Sequence, residues 1–275
     1  MTDIIEDCKD SQLIIEAIEK AWFEQFAFWG SAPSREVYED QYLKRVVLFA
    51  PERAQFNCVH LAQFTHENLH AKIDETVEYF KTRNLPIQWS IGPSTRPIDL
   101  GDYLQAHGFT HVEGDMPCMA VELDSLNEDL PEPSGFMIKP VKDVETLKDW
   151  VQAATEGFSL KQSTSELLFD IESKLGFNEH MPRQSYVGYL DGKPVANSLL
   201  LVTSGVAGLF VVSTVPEARR RGIGALISLA PLIEARERGY KVGVLHSSEM
   251  GYGVYRRLGF EEYCKIELYR LYINV

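Results

Sequence analysis

The sequence predicts an α/β fold built as two domains, and three observations carry that reading. Short runs of β-branched and aromatic residues alternate along the chain with segments whose apolar residues recur at helical spacing. Strands and helices mixed in this order pack as layers of sheet and helix. The chain has 275 residues, beyond the usual single-domain length of roughly 100 to 150. A turn-rich acidic stretch, Asp124 to Gly135 (DSLNEDLPEPSG), contains Pro131 and Pro133 and reads as a linker. The domains are therefore expected at 1–130 and 136–275.

In the first half the pattern predicts a helix over Ser11 to Trp29, strands at Arg45 to Phe49 and Asn57 to Phe64, and a helix over Leu69 to Arg83. A strand at Ile87 to Ile91, a short helix at Leu100 to His107 and one long strand from Phe109 to Leu123 follow. Beyond the linker come a strand at Phe136 to Val141 and helices at Val144 to Ala154 and Ser165 to Leu175. Asp191-Gly192, a strong hairpin dipeptide, joins strands at Tyr186 to Tyr189 and Val195 to Val202. A strand from Gly208 to Val215 leads into a helix beginning near Gly222 and stopped by Gly239, with Pro231 expected to kink it. A strand at Lys241 to His246, a helix at Glu249 to Leu258 and a strand from Tyr263 to Ile273 finish the chain. YLQAHGF at Tyr103 to Phe109 and VYRRLGF at Val254 to Phe260 sit at matching places in the two halves, which suggests an internal duplication.

Apolar residues make up 45% of the chain and charged residues 24%, an ordinary globular balance that argues against large-scale disorder. The net charge of -13 lies wholly in the first half, where residues 1–135 hold 24 acids and 10 bases. Such a surface disfavours nonspecific binding to nucleic acid or anionic membrane and mildly favours cationic substrates. Cys8, Cys58, Cys118 and Cys264 are far apart with no CxxC pair, so neither a zinc ribbon nor a disulfide framework is suggested. The N-terminus (MTDIIEDCKD) has no apolar core, and no run reaches the 18 apolar residues of a membrane span. A cytoplasmic protein is expected. His66 and His70 share a helix face without a third ligand, so no metal site is expected.

The chemistry concentrates in VSTVPEARRRGIG, Val212 to Gly224. A strand ends at Pro216 and, after six residues, a helical apolar pattern begins at Ile223. A helix start offers unpaired N–H groups and a partial positive charge, which together suit an anion. Gly222 and Gly224 remove side chains where backbone must approach a phosphate, and Arg219, Arg220 and Arg221 add charged donors.

At these residues the chain resembles the Gcn5-related N-acetyltransferases, whose principal motif is [R/Q]-x-x-G-x-[G/A] after a strand and a V-x-x-P-like turn. The resemblance implies two acetyltransferase-like domains, each a mixed, largely antiparallel sheet flanked by helices, the first a degenerate copy. It implies that Arg219, Arg220, Arg221, Gly222, Ile223 and Gly224 hold the pyrophosphate of acetyl-CoA, and that the backbone of Val212, Ser213 and Thr214 pairs with the pantetheine arm. SSEMGYGVYRRLGF, Ser247 to Phe260, is similar to the family's second motif. On that match Tyr255 is the acid that protonates the leaving thiolate, and Ser248 stands where the family carries an asparagine that contacts the cofactor.

Two departures matter. Gly208 to Val215 carries no acid where many members place a general base; His246 and Glu249 are the nearby candidates. In the first half, Ile91 to Gly101 (IGPSTRPIDLG) stands where a phosphate loop is expected and has no R-x-x-G-x-G, and the tyrosine position is Leu104. The function implied is transfer of an acetyl group from acetyl-CoA to a primary amine of a small molecule or peptide by direct attack. The alternative is a noncatalytic sensor of acyl-CoA. Trp150, Phe158, Phe169 and Phe177 lie on or beside the two helices that in this family cover the acceptor site.

Overall fold

The computed structural model describes residues 3–178 and 181–273. In chain order the first elements are α1 (Ser11–Gly30), β1 (Glu36–Glu39), β2 (Lys44–Val47), β3 (Asn57–His60), α2 (Leu69–Lys81), β4 (Ile87–Ile91), α3 (Leu100–Ala106) and β5 (Thr110–His111). Next come β6 (Met116–Glu122), β7 (Phe136–Pro140), α4 (Val144–Gly157), α5 (Gln162–Leu175), β8 (Arg183–Leu190), β9 (Lys193–Thr203) and β10 (Val206–Thr214). The last are α6 (Ile223–Glu237), β11 (Val242–His246), α7 (Glu249–Leu258) and β12 (Glu261–Leu271). The class is α/β, with mixed and largely antiparallel sheet flanked by helices, as expected.

Two compact units form, each from two stretches of chain: Met1–Ala21 with Cys118–Tyr263, and Trp22–Pro117 with Cys264–Val275. The sequence suggested a cut in the acidic linker, whereas the units part at Ala21, Pro117 and Tyr263. Asp124 to Gly135 is no free tether, because Leu126 is buried, Asn127 Nδ2 donates to the Arg257 carbonyl at 3.1 Å, and Glu128 pairs with Arg236 at 2.7 Å. Period-2 patterning marks a strand but not its partner, so the destination of each strand is set by nonlocal pairing.

In the smaller unit, β1, β2 and β3 form an antiparallel meander, β3 and β4 run parallel with α2 as their crossover, and β4 pairs antiparallel with the end of β12. Its core packs Trp89, Phe80, Ile73 and Leu100, all fully buried, between sheet and helices. Each such side chain contributes roughly 1.5 to 3 kcal/mol by leaving water.

In the larger unit the strand order is β6-β11-β10-β9-β8-β7. Among the described residues only β10 and β11 pair in parallel, with α6 crossing between them; β6–β11, β10–β9, β9–β8 and β8–β7 are antiparallel. The β8–β9 hairpin turns through Asp191 (φ 50°) and Gly192 (φ 79°), the left-handed pair that a tight hairpin requires. Asp143 and Thr146 cap α4 reciprocally, with Thr146 N–H donating to the Asp143 carboxylate at 2.8 Å.

Pro231 sits inside α6 without ending it. A proline has no N–H, so the carbonyl four residues earlier, Ile227, loses its helical donor. The buried Ser198 hydroxyl of β9 donates to that carbonyl at 2.8 Å and restores the bond.

Candidate functional site

The parallel pair builds the site. β10 and β11 are in register through Ala207–Gly243, Gly208–Val244 and Leu209–Leu245, and then pairing on that side stops among the described residues. β10 runs on to Thr214, so the edge from Phe210 to Thr214 faces a fork instead of a neighbouring strand. On the other side β10 stays bound to β9, but the register shifts between Phe210 and Ser213, and Val211 takes φ 50°. This is a β-bulge, a device that re-aims backbone groups. Past the fork, Phe210 and His246 stack, their ring centroids 6.2 Å apart.

Beyond β10 the chain turns through Pro216–Ala218 and reaches the arginines. Arg220 has φ 60° and Gly222 has φ 82°, left-handed turns that bring successive N–H groups to one side ahead of α6. Arg220, Arg221 and Gly222 are exposed. Among the described residues, no acceptor takes the N–H groups of Arg221, Gly222, Ile223 or Gly224, while Ala225 and Leu226 already donate to the Gly222 carbonyl. The dipole of α6 adds positive character at the same point. Gly222 is required by its backbone angle. Gly224 is not, since a Cβ there meets only Thr214 Oγ1 at an ordinary 3.6 Å. The fold would accept a side chain at 224, so glycine there leaves room for something other than the protein. A diphosphate fits this cradle of donors.

The three arginines divide into two kinds. Arg219 is consumed by the fold, because its Nε donates to the Thr214 carbonyl and its guanidinium NH2 to the Gly157 carbonyl, both at 3.0 Å. Its side chain braces the loop through these two bonds, in addition to the charged-donor role read from sequence. Arg220 and Arg221 keep exposed side chains with no hydrogen-bond or ion-pair partner among the described residues.

Tyr255, on the inner face of α7, is 8% exposed and packs edge-on against Phe260, with centroids 5.9 Å apart. Burial pushes its phenol up to about 12, opposed in part by the Ser228 hydroxyl beside it. The group therefore stays protonated at neutral pH. Ser248 caps α7, its hydroxyl oxygen accepting the Gly251 N–H at 3.2 Å, which leaves its proton for any other contact. Glu249 is exposed in the first turn of α7, where a carboxylate complements the helix dipole.

On the α4–α5 side, Trp150 is a core residue, fully buried with Nε1 donating to the Ser198 carbonyl at 3.0 Å. Phe158 follows α4 and is 43% exposed. Phe169 joins Val151, Thr155 and Ser165 in lining an open groove of about 460 Å³ between α4 and α5. Two residues that sequence reasoning missed are Asn197 and Gly157. Asn197 Nδ2 donates to the Val211 carbonyl, and a Cβ on Gly157 would overlap the Ser213 hydroxyl.

In the smaller unit the strand–crossover–strand that parallels β10–α6–β11 is β3–α2–β4, so the counterpart of the cradle is Leu61 to Asn68 and not Ile91 to Gly101. LAQFTHEN has no glycine. Beyond the Val59–Trp89 pair, Gln63 bridges Arg96 and the Phe64 N–H donates to the Arg96 carbonyl at 2.9 Å, so the corresponding fork is laced shut. Among the described residues no group of three or more His, Cys, Asp or Glu could hold a metal, and no helix is long and apolar enough to cross a membrane.

Comparison with known proteins agrees with this geometry. Residues 145–263 match the family model described as an acetyltransferase (GNAT) domain. No curated protein matches the chain. A GCN5-related N-acetyltransferase from Kribbella flavida superimposes with a TM-score of 0.70 at 19% identity, covering 92% of this chain and 95% of that one. One from Sphaerobacter thermophilus gives 0.65 at 18%, covering 100% and 96%. A tandem GNAT protein from the clavulanic acid biosynthesis pathway gives 0.61 at 13%, covering 100% and 99%. At such identities the superpositions establish the fold, and the match to the acetyltransferase (GNAT) domain is confined to residues 145–263.

Proposed function

We propose that the chain transfers an acetyl group from acetyl-CoA to a primary amine of a small molecule or peptide. The observation that carries the reading is the set of unclaimed N–H groups from Arg221 to Gly224, at a helix start whose Gly224 the fold does not itself require. Ile223 and Gly224, with Arg220 and Arg221, hold the diphosphate. The free edge of Val212, Ser213 and Thr214 pairs with the amide-bearing arm as an added strand would, and the Ser248 hydroxyl proton remains for a contact near the start of α7. When bound, acetyl-CoA supplies an acyl group already activated as a thioester.

The residues of the chain do the rest. The bulge on β10 directs a backbone N–H at the thioester carbonyl, where partial negative charge grows as the amine attacks. Tyr255, protonated and buried, gives its proton to the departing sulfur. The amine loses its proton to water or to His246, the titratable side chain at the fork; Glu249 is too exposed to hold a defined position there. Fixed dipoles and alignment supply most of the acceleration. The intact acid position favours an enzyme over a noncatalytic acyl-CoA sensor.

The smaller unit reads as a degenerate copy whose closed fork leaves one cofactor site per chain, in keeping with a tandem arrangement. The four cysteines form no disulfide among the described residues, which accords with a reducing, cytoplasmic setting, and no nucleic-acid or membrane partner is proposed. Release of free thiol from acetyl-CoA across a library of primary amines tests the reading; binding of acetyl-CoA without release for any amine would instead support the sensor.

A further inference from the structure

Val211 is a β-branched residue in the left-handed region, at φ 50°. A Cβ with two heavy substituents resists that conformation, which persists only where neighbours over-determine it. The strain falls at the bulge, between Phe210, paired with Leu199, and Ser213, paired with Asn197. A buried side chain of β9 grips it. Asn197 is completely buried in β9, its Nδ2 donates to the Val211 carbonyl, and its Oδ1 accepts from the Ser213 hydroxyl. One amide thus grips the bulge on both sides of Val212. Ser213 is seated in turn by the end of α4, where the absent side chain of Gly157 makes room for its hydroxyl.

The consequence is geometric. With its carbonyl turned inward to Asn197, the Val211–Val212 peptide must present its N–H to the opposite side, toward the open edge of β10. That edge is where β11 has already parted from β10. We infer that Asn197 is a positioning residue for acyl transfer: it locks the bulge at Val211 so that the Val212 N–H is aimed at the thioester carbonyl. The inference rests on the acetyltransferase reading above and assigns to it a residue outside both sequence motifs. Asn197 itself touches no substrate.

The test uses acetyl-CoA labelled with carbon-13 at the thioester carbonyl, bound to the full chain and observed by NMR, and needs no acceptor. In the unaltered protein the carbonyl signal is expected to move downfield from that of free acetyl-CoA, as a hydrogen-bonded carbonyl does. Asn197→Asp, which keeps the shape and removes the amide donor, is expected to return the signal toward the free value. Affinity for CoA itself should change by less than about threefold, because the diphosphate contacts lie elsewhere. With an accepted amine, turnover should fall by about a hundredfold, the effect of losing one such donor.

Adding Val211→Gly to Asn197→Asp should restore much of the shift, since glycine adopts φ 50° without being held there. A role in packing alone would not be rescued that way. If Asn197→Asp does not fold, the unaltered complex still decides: the Asn197 side-chain amide protons should resist exchange with solvent, and rapid exchange would overturn the inference. A chain that binds acetyl-CoA with an unmoved carbonyl, or an Asn197→Asp variant whose shift matches the parent, defeats the role given to Asn197 and leaves the acetyltransferase reading standing. A folded parent that binds no acetyl-CoA defeats both.

Discussion

The guanidinium of Arg219 ties Gly157, the last residue of α4, to Thr214, the last residue of β10, donating to each carbonyl from 3.0 Å. The first arginine of the motif therefore acts as a strut between the end of β10 and the end of α4. Arg219→Ala should lower stability by about 1 to 3 kcal/mol, since two carbonyls lose a charged donor. Arg220→Ala and Arg221→Ala should leave the melting temperature within a degree or so of the parent and weaken CoA binding instead. Thermal melts and calorimetry on the three variants separate the roles; equal melting temperatures for all three would remove the strut.

The Ser198 hydroxyl and the Ile227 carbonyl, 2.8 Å apart, explain how α6 carries Pro231. Ser198→Ala leaves that buried carbonyl without a donor and should cost about 1 to 3 kcal/mol. Pro231→Ala supplies the missing N–H, so the pair of changes together should cost clearly less than Ser198→Ala alone. Denaturant melts of the four proteins read this coupling, and strict additivity would contradict it.

Tyr255 gives a prediction at high pH. Its phenol ionises near 10 when unfolded and at about 12 in the folded protein. A folded value above the unfolded one means that the stability contribution is whole below pH 10 and is lost as pH rises from 10 through 12. The loss is on the order of 2 to 3 kcal/mol. Other tyrosines shift the same way, so the readable quantity is the difference between the parent and Tyr255→Phe, which should be flatter across that window. At pH 7 to 9 the same variant should turn over at least about tenfold more slowly with CoA affinity nearly unchanged; equal turnover would take Tyr255 out of the reaction.

Local chemistry made much of this protein readable from its residues. The sequence pattern places α7 at Glu249 to Leu258 and α2, α3 and β4 within two residues of their observed bounds, because caps, glycines and apolar periodicity act over one or two turns. The motif also marks the glycine turn at the start of α6, since glycines and a helix start are local signals. What sequence could not show was nonlocal. The expected strand Phe109 to Leu123 breaks at Val112–Asp115, with β5 pairing β12 and most of β6 pairing β11. The edge strand β1 carries no apolar alternation, every residue being exposed, and was missed. The bulge is hidden in a uniformly apolar run, and nothing in a charge pattern distinguishes Arg219, which is bonded to two carbonyls, from its exposed neighbours.

The central claim is the fit of a diphosphate against the start of α6, and calorimetric titration of acetyl-CoA into the parent and into Gly224→Val tests it most directly. A Cβ at 224 meets nothing closer than 3.6 Å, so the variant should fold with an unchanged melting temperature. The parent should bind one acetyl-CoA per chain, and Gly224→Val should bind at least about tenfold more weakly, a loss of roughly 1.4 kcal/mol. Equal affinities in the two folded proteins, or no binding by the parent, would contradict the account.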